Sequence, residues 1–129
     1  MSTDFQVHDG LLTVQRTSEG ERLRVAFSGE MDLANAETAG LTLREALSSP
    51  KSVVVDLAKL EFLDSTGIAM LVNAMREGGE RLSFLPSRHA AVTRILNLTG
   101  LDERMKLMPV AEVNPSVEGA GAGPLVSAA

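Results

Sequence analysis

The chain has 129 residues, a hydrophobic content of 44% and a formal net charge of −5 at pH 7. Its length is sufficient for one compact core, so a single domain is expected. The complete absence of cysteine excludes disulfides, thiolate metal sites and cysteine nucleophiles. Nucleic acid is not expected as a partner, because the Lys and Arg residues are scattered among acidic residues and are not clustered.

The N-terminal sequence MSTDFQVHDG lacks the basic and apolar regions of a signal peptide. No apolar run approaches the roughly 20 residues that a membrane-spanning helix needs. We therefore expect a cytoplasmic protein that does not insert into a membrane.

The first third of the chain predicts an antiparallel hairpin. Residues 11–15 and 23–27 are apolar or alternating at strand length, and the turn-like segment 17–20 separates them. A short strand is predicted before them, from Phe5 to His8. A first amphipathic helix should follow Asp32, which is suited to the N-cap position. Its apolar or small residues at helical spacing are Ala36, Gly40, Leu43 and Leu47.

The segment 52–56, SVVVD, predicts a strand that is buried on both faces and lies in the middle of the sheet. A second helix is predicted from about Ser65 to Glu77, and the following glycines are suited to end it. The residues predicted to face the sheet are Ile68, Leu71, Val72 and Met75. This phase places Ala69, Met70 and Asn73 on the exposed side.

The rest of the chain predicts a short strand at 81–85, a third helix capped by Ser87 and closed by Gly100, and a last short strand near 105–108. The residues from 113 to 129 have the Gly, Ala, Pro and Ser composition of a flexible tail. We therefore predict one α/β domain over residues 1–112. It should contain a mixed sheet of about four to five strands and about three to four helices.

The polar residues inside the stretch EFLDSTGIAML, residues 61–71, raise the question of function. Either Asp64 or Ser65 is suited to cap the second helix. An aspartic protease is disfavoured, because two residues separate Asp64 from Gly67 and a helix follows directly. A serine hydrolase is disfavoured too, since the chain lacks a Gly-x-Ser-x-Gly elbow and His8 and His89 lie in unsuitable elements. No catalytic residue, metal site or cofactor is expected, and the protein is predicted not to be an enzyme.

Three segments carry a resemblance to a known family. They are GEMDLANA after the hairpin, VVVDLAKLEFLDSTGIAMLV, and VTRILNLTGLDE near the end of the domain. Together they resemble the STAS domains of bacterial anti-sigma factor antagonists, and the similarity extends from about residue 11 to residue 107. The strand followed by Phe-Leu-Asp-Ser-Thr-Gly and an apolar helix is the most specific part.

The resemblance implies a partner switch. In that family the antagonist binds an anti-sigma factor with a histidine-kinase-like ATPase fold, and a sigma factor is thereby freed. The partner inactivates the antagonist by phosphorylating a serine that falls on Ser65, and a phosphoserine phosphatase restores the binding form. Asp64, Thr66 and Gly67 are the neighbours of this serine, and Asp64 could orient the hydroxyl or only cap the helix. Thr66 points roughly 100° away from Ser65 around the helix.

A surface for the partner is also predicted, and the free protein is expected to be a monomer. The residues assigned to this surface are Glu30, Asp32, Ser65, Ala69, Met70 and Asn73. The loop that contains Glu30 and Asp32 is included because it follows a strand that should end at the same edge of the sheet. STAS domains also occur in other settings, and the alternative function is the STAS subunit of an ABC-type lipid-transport system, bound to the transporter ATPase.

Overall fold

The structure, a computed structural model, describes residues 3–108. It contains one five-stranded mixed sheet with strand order β1-β2-β3-β4-β5, together with three α-helices. The strands are β1 (Thr3–Asp9), β2 (Leu12–Glu19), β3 (Arg22–Met31), β4 (Ser52–Leu63) and β5 (Leu82–Leu85), and the helices are α1 (Ala36–Leu47), α2 (Ser65–Gly78) and α3 (Ala90–Leu98). The predicted α/β class with a mixed sheet is confirmed. The predicted tail, 113–129, lies outside the described residues.

The first three strands form an antiparallel meander, and β3, β4 and β5 run parallel to one another. The predicted hairpin is therefore confirmed, with strands longer than the sequence indicated. Gly10 and Gly20 occupy the two hairpin turns with φ values of 61° and 64°. Side chains are disfavoured in this left-handed region, so glycine suits both turns.

Strand β4 is buried on both faces along its first part, as predicted for Val53, Val54 and Val55. Its predicted place in the middle of the sheet is wrong, because β3 is the central strand and β4 lies between β3 and β5. A parallel strand that is covered on both faces has a continuous apolar sequence at any interior position of a sheet. The apolar run therefore could not show which interior position β4 occupies.

The second half of β4 has an irregular register against β3. The pairing shifts once between Ala26 and Ser28 and again between Gly29 and Glu30, and β4 contributes one extra residue at each shift. The two extra residues change the alternation of side chains along the strand. As a result, three leucines spaced three residues apart all reach the core: Leu57, Leu60 and Leu63.

Two predicted caps differ in the structure. Helix α1 begins at Ala36, so Asn35 and not Asp32 occupies its N-cap position. The Asp32 carboxylate instead accepts a hydrogen bond from the Ala34 N–H, at 3.0 Å. Helix α3 begins at Ala90, and Ser87 lies too early to cap it. The Ser87 hydroxyl accepts from the His89 N–H at 3.0 Å and donates to the Leu60 carbonyl at 2.8 Å.

The predicted last strand is reduced to a single parallel bridge between Phe84 and Leu107. Two backbone hydrogen bonds of 2.8 Å hold it, from Phe84 N–H to the Lys106 carbonyl and from Met108 N–H to the Phe84 carbonyl. This short pairing covers part of the outer edge of β5, which would otherwise expose unpaired backbone groups.

The predicted exposure of Met70 is wrong. Helix α2 has the predicted bounds within one residue, but Met70 is only 8% exposed and belongs to the core. Met70 is buried because α1 packs along α2. Helix α2 therefore buries residues on the side that faces α1 as well as on the side that faces the sheet. A Cβ on Gly40 of α1 would lie 3.3 Å from Met70 Cγ, so the two helices approach closely at this point. Ala69 and Asn73 are exposed, as predicted.

We expect Met70→Lys to destabilise the fold, because it places an ammonium group in the apolar contact between α1 and α2. The expected loss is roughly 3 kcal/mol or more in the free energy of unfolding. The matched control is Ala69→Lys, which introduces the same charge at the adjacent exposed position and should change stability by less than about 0.5 kcal/mol. Urea denaturation measures both, and equal stabilities would show that Met70 is not part of the core.

Candidate functional site

The candidate site lies where β3 and β4 end side by side. Glu30 pairs with Phe62 and Met31 pairs with Leu63 in the parallel register. The Asp64 N–H continues this pairing by donating to the Met31 carbonyl, at 3.1 Å. The polar residues before α2 and the loop after β3 are thus adjacent, as the sequence predicted from the shared edge of the sheet.

Asp64 is the N-cap of α2. Its Oδ1 atom accepts hydrogen bonds from the backbone N–H groups of Thr66 and Gly67, at 2.9 and 3.2 Å, and from the Thr66 hydroxyl. The hydroxyl of Thr66 is the main cause of a lowered pKa for Asp64, and the backbone N–H groups of Gly67, Thr66 and Leu33 act in the same direction against partial desolvation. An ionised carboxylate is therefore well suited to this position.

Ser65 is the first residue of α2, and its side chain is exposed. Its hydroxyl makes no side-chain hydrogen bond to any residue in the described range, 3–108, and so no hydrogen bond joins it to Asp64. Of the two roles considered for Asp64, the structure shows the capping role. The Ser65 hydroxyl is free to meet a group that approaches from outside.

Thr66 and Gly67 are less exposed than Ser65 and contact neighbouring residues. Thr66 is half-buried, and its hydroxyl is engaged by the Asp64 carboxylate. Gly67 is buried, and a Cβ at this position would lie 3.0 Å from Leu63 Cβ and 3.1 Å from Met31 Sδ. The glycine therefore allows the first turn of α2 to pack directly on the ends of β3 and β4.

Asn35 is a structural residue of the site that the sequence analysis missed. It is fully buried, its Nδ2 donates to the Glu30 carbonyl at 3.0 Å, and its Oδ1 accepts from the Asp32 N–H at 2.9 Å. These two bonds fix the loop between β3 and α1 beside Asp64. An asparagine three residues after Asp32 was the available signal, but aspartate and asparagine are about equally suited to the N-cap, so the sequence did not show which of the two begins the helix.

Ala69 and Asn73 lie farther along α2, on the wall of a groove between α1 and α2 with a volume of about 350 Å³. The other residues at the mouth of this groove come from α1 and include Glu37, Gly40, Leu41 and Arg44. Met70 forms its floor. The predicted surface is therefore divided between the end of the sheet, with Glu30, Asp32 and Ser65, and this groove, with Ala69 and Asn73.

Comparison with known proteins identifies the family. The family model described as "Mlab, STAS domain" matches residues 14–109. The chain belongs to the STAS domain family. RsfB, an anti-sigma-F factor antagonist of Mycobacterium tuberculosis, is 29% identical over 85 residues, which cover 64% of this chain and 70% of RsfB.

Solved structures agree with the family assignment. An anti-sigma factor antagonist from Mycobacterium paratuberculosis superposes with a TM-score of 0.71 at 25% identity, over 82% of this STAS protein and 92% of that chain. The Bacillus cell fate determinant SpoIIAA in its phosphorylated form gives a TM-score of 0.58 at 21% identity, over 81% and 98% of the two chains. At that identity the second likeness shows the fold.

Within the described part of this STAS domain, no helix is long and apolar enough to cross a membrane. The same residues include no group of three His, Cys, Asp or Glu side chains placed to hold a metal ion.

We expect Thr66→Val to raise the pKa of Asp64 towards its ordinary value of 3.8, because the change removes the largest cause of the shift. A lowered pKa stabilises the fold above the unfolded pKa, and this contribution is lost as the pH falls through the folded pKa. The stability difference from wild type should thus be fully present above about pH 5 and fade below about pH 4. NMR titration of the Asp64 carboxyl tests the prediction, and an unmoved midpoint in the variant would contradict it.

Gly67→Ala should destabilise the fold by about 1–3 kcal/mol, because the added methyl group overpacks the contact with Leu63 and Met31. Ala is otherwise the better helix former, so the sign of the effect distinguishes packing from propensity. Thermal and urea denaturation provide the measurement. A variant more stable than wild type would show that α2 does not pack so closely on the strand ends.

Proposed function

We propose that this STAS protein is an anti-sigma factor antagonist that binds a kinase-type anti-sigma factor while Ser65 is unmodified and dissociates when Ser65 is phosphorylated. The observation that carries the proposal is the exposed side chain of Ser65, whose hydroxyl makes no side-chain hydrogen bond within residues 3–108, at the start of a helix whose N-cap position is already filled by Asp64. The names of its relatives support it, since RsfB and the Mycobacterium paratuberculosis protein are both anti-sigma factor antagonists.

The two adjacent hydroxyls are not equivalent as phosphate acceptors. The Thr66 side chain is half-buried and its hydroxyl donates to Asp64, so phosphorylating it would remove that hydrogen bond and place a second negative group beside the capping carboxylate. Ser65 has neither constraint. The geometry thus favours Ser65, and the existence of SpoIIAA in a phosphorylated form supports phosphate as a modification that a protein of this fold carries.

A phosphate on Ser65 should disturb the free protein only slightly. The helix dipole contributes about 0.3–1 kcal/mol to binding an anion at an exposed N-terminus, and the charge of Asp64 opposes it. Asp64 also occupies the N–H groups of Thr66 and Gly67, which leaves the phosphate few backbone donors in the first turn. The phosphate therefore remains hydrated and accessible to a phosphoserine phosphatase.

The effect on the complex should be much larger. A phosphate carries nearly two negative charges, and covering it with a protein surface removes its water. An uncompensated buried charge costs on the order of 3–5 kcal/mol, which corresponds to roughly a hundredfold or greater loss of affinity.

The kinase chemistry belongs to the partner in this proposal. The sequence offers no phosphate-binding glycine loop, so the anti-sigma factor, with its histidine-kinase-like ATPase fold, holds the nucleotide and magnesium. The STAS protein is then a substrate and binding protein, not an enzyme, and it needs no cofactor. It acts in the cytoplasm as a monomer when it is not bound to the anti-sigma factor.

We expect Ser65 to be the site of phosphorylation when the chain is incubated with its purified anti-sigma factor and ATP. Mass spectrometry locates the phosphate, and calorimetry compares the affinities of the two forms. The phosphorylated form should bind roughly a hundredfold more weakly, while its free energy of unfolding stays within about 1 kcal/mol of the unmodified form.

Three variants complete this test. Ser65→Ala should bind and resist inactivation, Ser65→Asp should bind poorly, and Thr66→Val should still be phosphorylated at Ser65. A phosphate on another residue, or equal affinity of the modified and unmodified forms, would overturn the switch. Stable binding to a transporter ATPase without any phosphorylation would favour the lipid-transport alternative instead.

A further inference from the structure

Three large apolar side chains are exposed around the end of the sheet that carries Ser65. They come from distant parts of the sequence: Leu11 is 63% exposed, Leu33 is 77% exposed and Phe62 is 45% exposed. We call these three residues the apolar rim. Single exposed apolar residues are ordinary on a protein surface, but several gathered at one place indicate a site of interaction.

The backbone brings the rim together. Leu11, in the turn between β1 and β2, accepts a hydrogen bond at its carbonyl from the Glu30 N–H, at 2.9 Å. Glu30 in turn pairs with Phe62 across β3 and β4. Leu33 follows β3 by two residues, in the loop that Asn35 fixes beside Asp64. The rim is thus built on strand ends and a braced loop, which hold its shape before any partner arrives.

The same end of the sheet is acidic. Four carboxylates lie within or next to the rim: Glu30, Asp32, Glu61 and Asp64. None of the four takes part in an ion pair with another residue in the described range, whereas carboxylates elsewhere, such as Glu19 and Glu45, pair with arginines. The rim therefore combines apolar side chains with carboxylates that no Lys or Arg in the described range neutralises by an ion pair.

We infer that the apolar rim of Leu11, Leu33 and Phe62 is the docking surface for the anti-sigma factor, and that the matching surface of that partner is apolar at its centre and carries Lys or Arg at its edge. The inference rests on the proposed function, because it places the partner over Ser65. A second copy of this chain is disfavoured as the occupant, since two acidic rims would repel each other.

This docking surface differs from the one predicted from the sequence. Ser65, Glu30 and Asp32 remain part of it, but Leu33 and Phe62 take the place of buried Met70 as its central apolar contacts. The groove beside Ala69 and Asn73 then lies at the periphery. Affinity concentrates in apolar residues near the centre of an interface, so loss of a central leucine should be much more costly than loss of a peripheral contact.

The test compares two exposed leucines in the full chain. Leu33→Ala removes a rim side chain, and Leu98→Ala removes a side chain of the same type, 73% exposed, from α3. Each variant is titrated against purified kinase-type anti-sigma factor, and its melting temperature is recorded. We expect Leu33→Ala to weaken binding about tenfold or more and Leu98→Ala to leave it within about twofold, with both folds intact.

A second comparison tests the charge of the partner surface. Glu61→Gln should slow association by a few-fold at low ionic strength, whereas Glu103→Gln, at an exposed position in another part of the chain, should not. Association in Glu61→Gln that is as fast as in wild type, or faster, would show that the partner surface facing Glu61 is not basic.

The outcomes separate this inference from the proposed function. If the wild-type chain is bound and phosphorylated but Leu33→Ala behaves as Leu98→Ala does, the rim is not the docking surface and the switch stands. If the wild-type chain neither binds nor is phosphorylated by any kinase-type anti-sigma factor, the proposed function and the partner assigned to the rim both fail.

Discussion

The parallel pairing of β3 with β4 is the constraint on which the rest of the site depends. Two extra residues in β4 shift its register against β3, and the shifts turn Leu57, Leu60 and Leu63 towards one core. Because Leu63 is held in this way, Asp64 lies beside Met31. The Asp64 N–H donates to the Met31 carbonyl and so extends the pairing of the two strands. Register irregularities are common next to functional sites because they re-aim side chains, and here they determine where α2 starts.

From that starting point, the four residues from Asp64 to Gly67 take different roles. The Asp64 carboxylate accepts hydrogen bonds from the backbone N–H groups of the first turn, and the Thr66 hydroxyl donates to that carboxylate. Gly67 permits close packing against Leu63. Ser65 is left without a structural duty. Such a residue is suited to modification without loss of fold, because phosphorylation removes a hydroxyl donor and Ser65 donates no hydrogen bond to another residue in the described range.

The sequence predicted the elements of the site better than its surface. The bounds of α2 could be found because Asp64 is a strong cap signal and Gly79 a strong stop signal. The burial of Met70 could not, because apolar residues surround much of α2 and the position of α1 selects which of them are covered. Likewise, the spacing of Leu57, Leu60 and Leu63 does not follow the two-residue period of a strand, so the second half of β4 gave no strand signal.

The apolar rim could not be predicted from the sequence, for a different reason. Leu11, Leu33 and Phe62 are far apart along the chain, and each taken alone is an ordinary exposed residue. Only the pairing of Glu30 with both Leu11 and Phe62 brings them to one edge. The proximity of these three residues depends on the register between strands and on the lengths of the turns. Neither can be deduced from short segments of sequence taken one at a time.

The combination of apolar groups and carboxylates suits a switch that acts through charge. The apolar groups favour a dry contact, in which an added phosphate would lose its water without gaining a partner. In the complex that we infer, the four carboxylates would face Lys or Arg on the partner, and these cations would moderate the cost of desolvating a phosphate only if they were not already engaged. Since Glu30, Asp32, Glu61 and Asp64 compete for the same cations, a phosphate on Ser65 would meet a surface whose positive charge is already in use. In the proposed switch the acidic residues would thus make the apolar contact more sensitive to one further negative group, while the unmodified serine would leave that contact undisturbed.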